Sequence, residues 1–329
     1  MQNCEVIIMR KPVRYGIIST ASIVPRFVHG MNLTNSGHVT AIGSRDLSKA
    51  EKLAADLKIP ASYGSYDAVI DNPNVDALYI PLVNSMHYEY AKKALLNNKH
   101  VLVEKPFVLH KDQALELAEI AEERKLFLSE AVKTPFLPVY GKIKRIIAEE
   151  TYGKIHFMEF RQSYTGGSYT EGWNTQKEAG GGVLYGNEAY FFHMAEYLGG
   201  RVQSVNGCAS FSNPDHAEDQ CALSAILEGN IIAALSVSQK VLFNNGLTIR
   251  FDKARIEIPD YWKASKACVY QNDELIETIE YECRYEFVYE LTHYNECILN
   301  GLVFGPLTPV SSSARYIGYC EDLYRSFKK

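Results

Sequence analysis

Glu104-Lys105-Pro106 is the tripeptide of this chain best placed to do chemistry. It closes the apolar run His100–Val103, and a lysine at the carboxyl end of a central strand sits where open α/β sheets bind ligands. An amine there can take a proton from a hydroxyl or return one to a carbonyl. A second candidate site is Gly16-Ile17-Ile18-Ser19-Thr20-Ala21-Ser22-Ile23, between a first strand and a predicted helix, where a dinucleotide fold puts its phosphate loop. Only the first glycine of Gly-x-Gly-x-x-Gly is present, so a plain strand-turn-helix fits the same residues. Ile42-Gly43-Ser44-Arg45 ends the next strand with a hydroxyl and a guanidinium, where an NAD-specific enzyme carries a carboxylate. Both groups suit a ribose 2′-phosphate, which points to NADP(H), with NAD(H) second. Arg45 as an ordinary exposed residue ahead of a helix capped by Asp46 or Ser48 is the alternative.

The elements that must position these groups alternate between short β-branched runs and amphipathic stretches. Strands are expected at Val13–Ile18, His38–Gly43, Ala77–Ile80, His100–Val103 and Leu126–Leu128, and helices at Leu47–Leu57, from Asn84 or Ser85 to Asn97, and at Lys111–Arg124. Either Asn84 or Ser85 can cap the second of these. After Ser129 the pattern changes: residues 153–164 and 202–280 carry strand-like segments separated by Gly166-Gly167, Asn213-Pro214, Glu228-Gly229-Asn230 and Asn244-Asn245-Gly246. Strands without intervening helices argue an antiparallel sheet. Helices after Gly180-Gly181-Gly182 and over Tyr285–Leu299 are expected to frame it, with another helix in the last twenty residues. The fold class is α/β: a doubly wound parallel sheet over 1–130, then an α+β domain with an open, mainly antiparallel sheet over 131–329. Residues 1–12 read as a loose extension.

Composition narrows the partners. Thirty-four Lys and Arg against thirty-nine Asp and Glu leave a net charge of −5, without a basic block to attract nucleic acid. Seven scattered cysteines, none in a Cys-x-x-Cys pair, fit reduced thiols in a cytoplasm better than disulfides or zinc. No apolar run is long enough for a membrane span. Histidines 29, 38, 100, 110, 156, 216 and 293 lack ligand spacing, and no serine lies in a nucleophile motif, so neither a metal site nor covalent catalysis is indicated.

Taken in order, Tyr15-Gly16-Ile17-Ile18-Ser19-Thr20-Ala21, Ser44-Arg45-Asp46-Leu47, Tyr63-Gly64-Ser65-Tyr66, Asn72-Pro73-Asn74-Val75-Asp76, Asn84-Ser85-Met86-His87, Glu104-Lys105-Pro106, Leu126-Phe127-Leu128-Ser129-Glu130-Ala131 and Gly181-Gly182-Val183-Leu184 form one pattern. Through it the chain resembles the Gfo/Idh/MocA oxidoreductases, and within them the dimeric dihydrodiol dehydrogenase branch. The resemblance implies a Rossmann domain, then a substrate domain whose sheet makes a homodimer or homotetramer. It also implies hydride transfer between a nicotinamide and a carbinol or carbonyl carbon of a sugar, polyol or related molecule. Lys105 then lies near the reacting oxygen as general acid/base. Asn84 and His87 lie along the cofactor, which Glu104 adjoins and the stretch from Pro81 approaches through backbone.

The chain departs from that pattern in the second catalytic segment. Most members carry Gly-Gly-x-Leu-x-Asp-x-Gly-x-His; here Gly186 replaces the Asp and Tyr190 the His. Tyrosine at that place resembles the dihydrodiol branch and can pass the proton or hold the substrate oxygen. Glu188 lies roughly 200° around an ideal helix from 186 and replaces the Asp only if the helix start is displaced. His193, on about the same face as Tyr190, is the better auxiliary candidate. Lys133, where the branch has an aromatic, implies a polar or anionic substrate if it faces the pocket, and is otherwise an exposed residue. Trp173 and the loop Tyr164–Tyr169 offer stacking and hydroxyl contacts for a sugar, or else form a dimer-facing loop. The competing function is a catalytically weak member that senses nucleotide or sugar by binding.

Overall fold

The computed structural model describes residues 11–166, 170–282 and 285–327. Most of the expected extension at 1–12, residues 167–169 of the aromatic loop, Cys4 and Cys283 lie outside them. The first half runs β1 (Val13–Ile17), α1 (Val24–Met31), β2 (Gly37–Gly43), α2 (Leu47–Leu57), β3 (Ala61–Tyr63), α3 (Tyr66–Ile70), β4 (Ala77–Ile80), α4 (His87–Leu96), β5 (His100–Glu104), α5 (Lys111–Arg124) and β6 (Leu128–Ala131). Its six strands are all parallel in the order β3-β2-β1-β4-β5-β6. The order reverses between β1 and β4, which opens a crevice at their carboxyl ends for a dinucleotide. The second half runs α6 (Pro138–Ala148), β7 (Ile155–Ser163), α7 (Val183–Gly199), β8 (Val202–Ser210), β9 (Gln220–Leu227), β10 (Ile231–Ser238), β11 (Gly246–Phe251), β12 (Arg255–Pro259), β13 (Lys266–Gln271), β14 (Glu274–Glu280), α8 (Phe287–Leu299) and α9 (Val310–Phe327). Its eight strands lie in the order β14-β13-β12-β11-β7-β10-β9-β8, antiparallel except for the β7–β10 pair.

Local chemistry explains most boundaries. Asp46 begins α2 by accepting from the Ser48 and Lys49 amides at 3.0 and 3.4 Å, as an N-cap should. The strand expected at Leu126–Leu128 is displaced to Leu128–Ala131. Lys125 is left-handed, and the Leu126 amide turns back to the Ala121 carbonyl at 3.0 Å, so those residues finish α5. Neither Asn84 nor Ser85 caps α4: Asn84–Met86 is a 3₁₀ turn, and the Asn84 amide is drawn off to the Gly180 carbonyl at 2.8 Å. The short β3 and α3, and α6, were not anticipated. β9 alternates buried and exposed residues, the period-2 signature of a sheet with one covered face, which α7 packs against.

The terminal helices depart from expectation. α8 does not frame the second sheet; it packs on α1 and β1, where Asn295 accepts from the Tyr15 hydroxyl at 2.9 Å and Phe287 lies against Gly30. α9 joins the halves: Ser313 donates to Glu130 of β6 at 2.7 Å, and Tyr319 to the Val202 carbonyl at 3.1 Å. Among the described residues no helix is long and apolar enough to cross a membrane.

Candidate active site

A cleft of about 540 Å³ opens at the carboxyl ends of β1, β4 and β5 and is closed from the other side by α7. Ala21, Ser22, Ile23, Pro81, Asn84, Glu104 and Lys105 form its first wall. The second is formed by Lys133, Tyr164, Trp173, Gly180–Gly182, Gly186, Asn187 and Tyr190. Lys105 and Tyr190, on different elements, meet here: the Lys105 Nζ lies 5.2 Å from the centre of the Tyr190 ring.

Lys105 is half-buried and donates to the Gly186 carbonyl at 2.7 Å. Burial pushes its amine down; Glu104, Glu188 and Glu130 pull it partly back. Glu104 is itself held by the Tyr79 hydroxyl at 2.5 Å, and Tyr79 stacks on Phe27 of α1 at 3.8 Å between ring centres. The Lys105–Pro106 peptide is cis. At position 186 an added Cβ would come 3.3 Å from the Tyr164 hydroxyl, so the space of the lost side chain opens toward that phenol. Asn187 beside it is fully buried, and its amide donates to the Val183 carbonyl at 2.7 Å and Tyr164 at 3.2 Å. Nothing in the sequence pattern had singled it out.

Several expected residues lie off the cleft wall. A Cβ at Gly16 would come 2.6 Å from Val69 Cγ1, so this glycine serves the packing of β1 against α3. The Ser19 hydroxyl accepts from the Ala21 amide at 3.0 Å and shapes the turn in which Thr20 stands half-buried. Ser44 accepts from Asp46 N at 3.2 Å, and Arg45 stands exposed at the end of β2, on the same edge of the sheet. His87 is fully buried between the carbonyls of Pro106 (2.8 Å) and Leu82 (3.2 Å) and joins two site loops from behind.

His193 is corrected as a substrate residue. It is buried against Glu130 at 3.0 Å and away from the cleft, because that face of α7 turns toward β6 and α9. Glu188 is buried too, with both carboxylate oxygens lacking a hydrogen-bond partner; α7 begins at Val183, so no displaced start turns it to the Asp position. Burial and then Glu130 push its carboxyl well up. Glu290 of α8 is a site residue that the sequence reading missed. It lines the cleft near Lys133, and burial followed by Glu104 drives its carboxyl up. Its signal was an acid at i+3 on the stripe Phe287, Leu291 and Tyr294.

The wall fits a dinucleotide. Small residues at 21 and 22 meet the amino end of α1, where main-chain amides and the helix dipole favour phosphate. Gly182 at φ +103° turns the chain where a Cβ would fall 2.4 Å from Glu218 Oε1. Among the described residues no cluster of three or more His, Cys, Asp or Glu could hold a metal ion.

Comparison with known proteins agrees with this arrangement. The chain is 28% identical over 311 residues to trans-1,2-dihydrobenzene-1,2-diol dehydrogenase of Xenopus laevis, covering 91% of this chain and 93% of that one. The Mus musculus protein of the same name is 25% identical over 92% of each chain. A 3-ketoreductase from Actinomadura kijaniata, solved with NADP and TDP-benzene, superposes with a TM-score of 0.86 at 21% identity, over 96% of this chain and 98% of that one. A levoglucosan dehydrogenase solved with NADH and levoglucosan gives 0.85 at 16% identity, over 97% and 98%. Residues 13–132 match the oxidoreductase family with an NAD-binding Rossmann fold, and residues 140–257 match the GFO/IDH/MocA C-terminal domain; with both domains in order around one cleft, the chain belongs to the Gfo/Idh/MocA oxidoreductase family.

Proposed function

We propose that the protein is an NADP(H)-dependent dehydrogenase or reductase that transfers hydride between the nicotinamide and a carbinol or carbonyl carbon of a sugar, polyol or related small molecule. The observation that carries this reading is the convergence of Lys105 and Tyr190 across one cleft. When bound, the nicotinamide supplies or accepts the hydride. In oxidation Lys105 Nζ takes the hydroxyl proton, and in reduction it returns one to the carbonyl oxygen. Burial lowers its proton affinity, which eases proton exchange with the substrate oxygen in either direction. Tyr190 holds the same oxygen through its phenol, and the Gly186 carbonyl keeps the lysine aimed. Asn84, Pro81 and residues 21–23 would hold the dinucleotide, with Ser44 and Arg45 meeting a 2′-phosphate. The relatives named for a diol, a ketone and an anhydrosugar support this substrate class.

The nucleotide half is assigned to residues 1–130 and the substrate half to 131–329. Exposed Ile226 and Ile232, paired across β9 and β10 on the open sheet face, support a homodimer or homotetramer through that sheet. The free thiols of Cys208, Cys221, Cys268, Cys297 and Cys320 suit a cytoplasm. The decisive experiment measures NADPH and NADH binding, then turnover over a panel of sugars, polyols and carbonyl compounds. Tight NADPH binding with turnover of at least one class supports the enzyme. Binding without any turnover would favour the sensor.

A further inference from the structure

Lys133 follows β6 where the related branch carries an aromatic residue, and it is only 6% exposed although charged. A buried ammonium is costly unless its protons are received. Its Nζ lies 3.4 Å from the Tyr190 hydroxyl, 5.3 Å from the centre of that ring and 5.4 Å from the centre of the Phe287 ring. An ammonium has three donors and no acceptor, so the contact with the phenol runs one way, from Lys133 to Tyr190 Oη.

We infer that Lys133 is a positioning residue for Tyr190: by donating to the phenol oxygen it fixes the hydroxyl in the cleft and makes its proton easier to give up to the substrate oxygen. This rests on the role proposed above for Tyr190. The charged and titratable groups that face Lys133 come from four other elements: Arg26 of α1, Glu104 and Lys105 at the end of β5, Tyr190 of α7 and Glu290 of α8. Burial and Arg26 push the Lys133 ammonium down to about 8, while Glu290 and Glu104 favour its charge. It therefore carries a proton around neutral pH and loses it above, and the positive charge favours the phenolate form of Tyr190. The geometry gives Tyr190 of α7 a cationic neighbour from the end of β6. Lys105 is aimed by the Gly186 main chain and Tyr190 by Lys133, so the site keeps two oriented proton-transfer groups without an Asp at 186.

The test combines kinetics with a titration that needs no turnover. Lys133→Met and Lys133→Arg are compared with wild type, alone and in a Tyr190→Phe background, for the pH dependence of kcat and kcat/KM. In parallel the Tyr190 phenol is titrated in dinucleotide-free protein, by near-ultraviolet difference absorption against Tyr190→Phe. Lys133→Met is expected to lower kcat about 10-fold with little change in KM, and Lys133→Arg to restore most of it. In the Tyr190→Phe background Lys133→Met should add almost nothing, since a residue acting through another shows full coupling. Where the phenol titrates, the Lys133 amine is already neutral but still donates an N–H to the phenolate, so the phenol should ionise roughly half to one pH unit higher in Lys133→Met than in wild type. An unmoved phenol titration, or a rise in KM of equal size in both backgrounds, would overturn the inference and make Lys133 a direct substrate contact. A protein that turns over no substrate would sink the proposed enzyme, while the titration would still decide the role of Lys133. If the Met variant does not fold, Lys133→Leu removes the donor and the charge alike, and the same titration applies.

Discussion

The two walls of the cleft are built by different rules. On the nucleotide wall each residue stands at the end of a parallel strand, and strand order alone brings Pro81, Asn84, Glu104 and Lys105 to the crevice between β1 and β4. On the opposite wall α7 is buried on nearly every side, so which of its residues see the cleft depends on how β9, β10 and α9 press on it. Gly186, Asn187 and Tyr190 face in; Glu188 and His193 face away. Side chains of the first wall meet carbonyls of the second: Lys105 donates to Gly186 and Asn84 to Gly180. The Lys105 amine therefore has an acceptor on the opposite wall although position 186 carries no side chain.

The sharpest way to break the comparison is at the strand end. Lys105→Ala should cut turnover by about 10²-fold or more while NADPH still binds, as expected for loss of a general acid/base. An unchanged rate would move proton transfer to the helix wall. The anchoring of that wall is tested by Glu218, which accepts from the Leu184 amide at 2.8 Å and the Tyr324 hydroxyl at 3.0 Å, and whose carboxyl burial pushes up to about 7. A raised acid holds in the folded state a proton that the unfolded chain releases, so stability should fall as pH rises from roughly 4.5 through 7, by about 3 kcal/mol in all. Denaturant unfolding at the two ends of that window should detect this slope, and Glu218→Gln should flatten it.

Tyr190→Phe keeps the ring and removes the hydroxyl; a loss of about 30-fold in kcat is expected of an assisting proton donor, and stopped-flow turnover reads it directly. A much larger loss would make the phenol the principal group and Lys105 its partner. The smallest effect is expected at the end of β2. Arg45→Ala should narrow the preference for NADPH over NADH by about 10-fold, the worth of one charged hydrogen-bonding pair. Equal affinities in the wild type would remove the argument from Ser44 and Arg45.

Much of the first half was legible in the sequence because its signals are local. Apolar runs alternating with amphipathic stretches, and a cap at Asp46, mark elements from a few neighbouring residues, and a lysine after a central strand can only emerge at the ligand edge. The same local reading misjudged Leu126, where a left-handed Lys125 ends α5, and Asn84, whose amide answers to Gly180 from the other half of the chain. In the second half the sequence by itself determined that strands would pair in an open sheet and that a glycine-led helix would follow residue 182. Only the tertiary structure decided which face of that helix meets Lys105, that α8 lies on the nucleotide half, that Glu290 enters the site from it, and that Lys133 is buried against Tyr190. Those outcomes depend on contacts between residues far apart in the chain, and periodicity carries no information about which distant surface will cover a given face.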